Sequence, residues 1–350
     1  MLGSEIYEVL PNRDGLMLAT WGFISSGHVV SPAFRAIEMQ AKDSKRFPAR
    51  VWVWVATDAL HLGEAGDSFR PMASALLAQH TADYLGLYLP TARTVRAAYQ
   101  AASVAVAPKT QPADSATRTA GGFSPHMADK EAMLRHSHDV DRGMGYTPWK
   151  AAVVSERVYG TGKAWVNDRD LGLHQGRGCN HGWYTRSAPY RDIEGVRLWQ
   201  DRGLQHNAGT SLEHDPGHFD YSQTLSEFVY PWVLVELTDA SLAEEYVRGS
   251  QANLHCAKDD YLESNLLEGR GIRSAWLDWA TVLGDSRLAW AVNDDGPLPS
   301  ARPYVEHLGD SQADIATHRF PLPLPSTLDS SFMVGGLGLG EQKSTADETA

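Results

Sequence analysis

The chain has 350 residues, 43% hydrophobic and 21% charged, with a formal charge of −12. That acidic balance argues against nucleic acid or an anionic membrane as the main partner, since both reward dense Lys and Arg. No apolar run approaches the roughly 18 residues of a membrane span. The start, Met1-Leu-Gly-Ser-Glu-Ile-Tyr7, lacks the basic and apolar regions of a signal peptide, so secretion or a periplasmic location requires that one has been removed.

In chain order, Arg50-Val-Trp-Val-Trp-Val-Ala-Thr57 is a β-branched and aromatic run that reads as a buried strand. Pro71 opens a helix on which Ala75, Ala78, Ala82, Leu85 and Leu89 recur at three- and four-residue spacing, and Pro90 ends it. Thr91 caps a second helix with Val95, Ala98, Tyr99 and Ala102 on one face. Residues 105–125 show no period and read as a loop; a short helix follows over 130–140. Strands are expected over 151–159, 196–200 and 228–237, with Pro231 marking an edge or a bulge. Ser241 and Glu244 form a capping box before a helix over 242–248, and 261–267 and 274–283 read as further helices. Residues 321–350 form a Pro/Gly/Ser-rich tail, expected to be largely disordered, chiefly beyond about residue 335. Mixed elements without regular βαβ alternation predict an α+β fold. The expectation is a single domain over 1–320 with a central, mostly antiparallel sheet, flanking helices and long loops. Its N-terminal helical part spans about 68–104 and its site-bearing part about 126–237.

Residues 206–223 hold the densest chemistry: His206, His214, His218, Asp215 and Asp220, broken by Gly209 and Pro216-Gly217. Each imidazole or carboxylate buried without a partner costs several kcal/mol, so a packing segment has no use for that mixture. His214 lies before the Pro-Gly turn. If 218–225 is a strand, Asp220 and Ser222 share a face, and Asp220 can orient His214 for general-base work. The same donors suit zinc: His206, His214, His218 and Asp220 form the candidate ligand set. A turn whose polar residues bond to backbone is the plain alternative.

Two further segments carry donors. Arg135-His-Ser-His-Asp139 offers a His-x-His pair that shares a face only on extended backbone; on a helix the two rings diverge. Cys179-Asn-His-Gly-Trp-Tyr184 offers His181 as an acid/base group and Trp183 and Tyr184 as substrate contacts, joined by Trp199 and Gln200. Cys179 and Cys256 form either one disulfide or two buried thiols, and cannot make a zinc cluster alone. Gly160-Thr-Gly-Lys163 lacks the spacing and the following Ser/Thr of a phosphate loop.

Ser26-Gly-His-Val-Val-Ser-Pro-Ala-Phe-Arg35, the block 78–108, and His214-x5-Asp220-Tyr-Ser222 preceded by Gly182-Trp183 resemble an uncharacterised family of bacterial, often exported, proteins. That family commonly has a His before an Asp-Tyr-Ser, a Gly-Trp-His upstream, and a Lys just before a strand. The resemblance implies roles for His214, Asp220 and Tyr221, and for Lys150 as the lysine. Tyr184 and Gln223 stand where the pattern has histidines. The resulting expectation is a hydrolase with a His/Asp-centred polar cleft, metal-free or zinc-assisted, acting on an amide, ester or glycan. A non-catalytic glycan- or peptide-binding protein with an aromatic-lined cleft is the alternative.

Overall fold

The computed structural model describes residues 1–40, 49–109, 111, 125–149, 158–159, 161–172, 176–182, 211–237, 273–304 and 331–332. Helices α1 (Gly3–Val9) and α2 (Leu16–Ser25) precede strands β1 (Val29–Val30), β2 (Phe34–Gln40), β3 (Ala49–Ala56), β4 (His61–Glu64) and β5 (Asp67–Phe69). Then come α3 (Ala75–Tyr84), α4 (Ala92–Gln100), β6 (Val104–Ala105), α5 (Lys130–Gly143), β7 (Val158–Tyr159), β8 (Lys163–Trp165) and β9 (Gly178–Gly182). The chain continues through β10 (Ser211–His214), β11 (Gln223–Thr224), β12 (Val229–Leu237), β13 (Arg273–Asp278), α6 (Trp279–Gly284), α7 (Ala289–Val292) and β14 (Ser331–Phe332). The fold is α+β.

The largest sheet among the described residues runs β13-β12-β3-β2-β14, antiparallel throughout. Because side chains alternate, β3 feeds two cores. Val51, Val53 and Val55 pack with Val233, Val235, Leu277, Trp279 and Val282 on one side. Trp54 and Ala56 join Phe34, Tyr230, Leu77 and Ala78 on the other. A continuous apolar run with no solvent face is what burial on both sides requires.

Several sequence expectations change for identifiable reasons. The helix expected from Pro71 starts at Ala75, with Ser74 Oγ accepting from Leu77 N at 3.2 Å. Residues 72–73 are used differently: Met72 bridges Thr224, and Ala73 N donates to Gln223 O at 2.8 Å. The same helix stops at Tyr84, well before Pro90, because Gly86 at φ 71° turns the chain and Leu87 N reaches back to Ala82 O. Thr91 caps α4 by accepting from Thr94 N, as its residue type predicts. Pro231 lies on β12 between β3 and β13, where the register shifts between Val229 and Val233; it marks a bulge inside the sheet and not an edge. The helix expected over 274–283 is strand β13 up to Asp278 and helix α6 beyond it. Asp278 makes the switch by accepting from Ala280 N at 2.8 Å. The strand expected over 151–159 is described only at β7, and 196–200, 242–248 and 261–267 lie outside the described residues, as does most of 105–125. Ser331 and Phe332 in the tail pair with β2 as β14.

A second sheet, β10-β9-β8-β11, is antiparallel except for the parallel β8–β11 pair. The segment after β11 ties it to the large sheet: Leu60 N donates to Leu225 O and Ala56 N to Phe228 O, both at 2.8 Å. Residues 220–237 therefore run continuously from one sheet to the other.

Candidate active site

The register of the second sheet sorts its side chains. Lys163, Trp165, Asn180, His214 and Gln223 share one face, and Ala164, Cys179, His181 and Thr224 the other. Gly178 lies on the first face, where a Cβ would stand 2.9 Å from the Trp165 ring and 3.4 Å from Pro216 Cα. Its bare backbone lets the loop after β10 lie down on the sheet, with the Trp165 and His214 rings 6.4 Å apart.

That loop is built from two interlocked turns. Asp215 Oδ1 accepts from Gly217 N at 2.7 Å and Asp215 O from His218 N at 2.9 Å, so this carboxylate shapes the backbone. Asp220 Oδ1 accepts from Ser222 N at 2.7 Å and from the Ser222 hydroxyl. Asp220 N donates to Gln223 Oε1, and Gln223 N to Asp220 O, both at 3.0 Å. The strand expected from 218 is therefore a turn up to β11, because Asp220 bonds its own backbone two residues on.

The second oxygen of Asp220 faces the chemistry. His218 Nε2 stands 3.7 Å from Asp220 Oδ2, an electrostatic contact longer than a hydrogen bond. Burial alone raises the Asp220 carboxyl; the Lys163 ammonium, with His218 and Ser222, more than reverses this and holds it well below the usual carboxylate range. Lys163 is fully buried, and burial pulls its ammonium down against the opposing pull of Asp220. His214 and His218 stack face to face, centroids 4.2 Å apart and planes 5° from parallel. Burial, then His218 and Lys163, lower His214 to about 4, and its buried Nε2 has no hydrogen-bond partner.

α5 supplies a third imidazole. His136 is buried with its ring 5.4 Å from that of Tyr221. Burial first, then Arg70 and Lys163, lower it to about 3 against the pull of Asp220. Tyr221 is itself buried; its N donates to Met127 O at 2.8 Å and its hydroxyl accepts from Gln111 N at 2.9 Å. Behind α5 lies a buried ion network. Arg70 donates from Nε and Nη2 to the two oxygens of Asp58 at 2.9 and 2.6 Å, and from Nη1 to Asp141 at 2.6 Å. His61 Nε2 approaches Asp58 at 3.4 Å, and Arg70 N donates to Ser137 Oγ at 3.0 Å.

Of the sequence-predicted site residues, His214, Asp220, Tyr221 and His218 come together. His181 does not join them. Its neighbours Asn180 and Gly182 stand opposite Trp165 and Lys163 on β8, so that it points to the opposite face, where burial and then Arg96 lower it to about 3. Lys150, Trp183, Tyr184, Trp199, Gln200 and His206 lie outside the described residues, as does Cys256; Cys179 is buried. His136 and His138 are on a helix, so the extended His-x-His metal pair does not form. His138 turns to Trp149 instead, ring centroids 4.9 Å apart. For the candidate zinc set, the lone pairs of His214 and His218 lie in parallel ring planes and do not converge on one point. Among the described residues no group of three His, Cys, Asp or Glu could hold a metal ion. Two participants were missed by sequence reasoning, Lys163 and Arg70. The available signal was a single cation inside an apolar stretch, Gly162-Lys-Ala-Trp-Val166 and Ser68-Phe-Arg-Pro-Met72.

Neutral buried imidazoles make stability depend on pH with a defined sign. His136, His181 and His214 have folded values near 3, 3 and 4, below the unfolded ~6.5, so the unfolded chain binds more protons across that interval. Stability is full above about 6.5 and falls on acidification, by up to about 1.4 kcal/mol per pH unit for each imidazole. Urea unfolding at pH 7.5 and 5.0 should differ by more than ~2 kcal/mol. Equal stabilities would show that these rings are not held neutral.

Comparison of the chain with protein-family models, with curated proteins and with solved structures found no match.

Proposed function

We propose that this chain is a hydrolase working by proton transfer at the Asp220–His218–His214–Lys163 cluster. The observation that carries the reading is the burial of Lys163 and Asp220 together beside two stacked imidazoles, one of them partly exposed. A fold has little reason to bury an ammonium, since desolvation costs several kcal/mol, whereas a site that stabilises developing charge in low dielectric does. The lysine that the family resemblance implies, Lys150, lies outside the described residues, and in this reading the cation is Lys163 at the head of β8.

In this reading His218 is the base and Asp220 orients it, the role first expected of Asp220 toward His214. His218 accepts a proton from water as the water oxygen attacks the scissile centre. The displaced electron pair moves onto the substrate oxygen in the field of Lys163. On collapse, the departing alcohol or amine takes the proton back from His218. His214 packs against the face of His218, limiting its rotation, and Tyr221 with His136 closes the far side.

The test is a screen of the purified protein against pooled esters, amides and glycosides, repeated with His218→Ala and Asp220→Asn. Each variant should lose turnover by a factor on the order of 10²–10³. Variants that fold normally and keep full turnover would remove the reading. Loss of ligand affinity by the same variants, with no turnover in any pool, would favour the glycan- or peptide-binding alternative.

A further inference from the structure

Resting on the hydrolase reading, we propose that Gln223 and Lys163 form a subsite for an uncharged carbonyl oxygen, so that the bond cleaved is acyl, in an ester or amide, and not glycosidic. The parallel β8–β11 register pairs Lys163 with Gln223, which puts both side chains on one face from strands about 4.8 Å apart. Gln223 is fully buried, and its two amide atoms have different fates. Oε1 must be the atom that accepts from Asp220 N, because only an oxygen can accept from an N–H. Nε2 is thereby assigned as a donor, and it is buried with no hydrogen-bond partner. Leaving such a donor unsatisfied is costly, and natural interiors rarely do so without a ligand or water to fill the place.

The Gln223 amide donor calls for an acceptor, and it lies beside the Lys163 ammonium with Asp220 anchored by the same glutamine. The surrounding charge selects the kind of acceptor. Lys163 faces the Asp220 carboxylate, and Arg70, the other cation that acts on His136, is shared between Asp58 and Asp141, three carboxylates for two buried cations. A further anion entering this field is repelled, whereas a neutral carbonyl is polarised by the donors without adding charge. A glycosidic centre has no double-bonded oxygen to be polarised before attack; charge develops there on the leaving oxygen, which calls for a proton from a general acid and not for a neutral amide donor such as Gln223 Nε2.

Binding can be read without turnover. In ¹H–¹⁵N spectra the Gln223 side-chain amide, assigned by its disappearance in Gln223→Glu, is followed during titration with N-methylacetamide, with acetate, and with methyl glucoside. Glutamate keeps the acceptor toward Asp220 N and removes the donor; Gln223→Met removes both and is the second variant should the first fail to fold. N-methylacetamide should shift the resonance and saturate, acetate should bind at least tenfold more weakly, and methyl glucoside should cause no shift. In the ester and amide screen, the variants should lower turnover at least tenfold while Gln223→Met keeps the wild-type pH profile. Acetate binding as tightly as the amide, a glucoside shift of equal size, or no shift with any probe would overturn the subsite. That result is separable from failure of the hydrolase reading: amide binding without turnover leaves the subsite intact, and turnover dependent on His218 without amide binding removes the subsite alone.

Discussion

Arg70→Met should destabilise the protein by about 3–5 kcal/mol, read by urea unfolding at pH 7.5. The guanidinium has no exposed side-chain surface and is shared between Asp58 and Asp141. Its removal strands two buried carboxylates, one of which already has an unpaired Oδ2 on Asp141. The penalty is the desolvation of those anions more than the loss of attraction, so the triple change Arg70→Met, Asp58→Asn, Asp141→Asn should recover much of it. The sign in pH is equally defined. Asp58 is held below its ordinary range: burial alone would raise it, and Arg70 overrides that. Its stabilising contribution is thus present above about 3.9 and is lost as pH falls through the lower folded value. Wild type and variant should differ most at neutral pH and converge below about 4. A loss under 1 kcal/mol at pH 7.5 would mean that the network is solvated. Because the Arg70 side chain also holds Asp141 of α5, the variant should loosen His136 from Tyr221, even though the backbone bond from residue 70 to Ser137 remains.

Lys163→Met is expected to do two separable things. It removes the cation that offsets Asp220, leaving that buried carboxylate with only Ser222 and His218, and losing one partner of a buried charge pair costs up to about 3–5 kcal/mol. It also removes the positive field on which charge stabilisation depends, an effect worth a factor on the order of 10²–10³ in turnover. The double variant Lys163→Met, Asp220→Asn replaces the two opposed buried charges by neutral groups of similar volume and should regain most of the stability while regaining none of the activity. Recovery of both together would assign the pair a purely structural role. Recovery of neither would mean that Lys163 fills space that Met cannot.

How the fold and the site divide between legible and hidden follows from particular residues. β3 was readable because Val51, Trp52, Val53, Trp54 and Val55 form an apolar run too short for a helix, and α4 because Thr91 is a cap followed by periodic apolar positions. The clustering of polar groups over 214–222 was readable from donor density, although which imidazole lies beside the carboxylate was not. Asp220 meets His218 first because a turn, and not a strand, joins them. The helix expected over 274–283 failed for a similar reason: Arg273–Leu277 has no decisive local period, and pairing with β12 makes it a strand.

Caps, short apolar runs, turn formers and helical periods are written in residues within about four positions of one another, and these the sequence by itself determined: an α+β class, the buried strand β3, the α4 cap and the polar density near Asp220. Only the tertiary structure decided which charges are buried and which face each donor takes. Arg70 finds Asp141 71 positions away, Lys163 lies opposite Gln223 across a strand pair, and a one-residue step along β9 sends His181 to the far side of the sheet from His214. The physical reason is that the field and the desolvation that set a group's chemistry come from whatever packs around it, and strand register, which fixes that packing, is settled between segments distant in the chain.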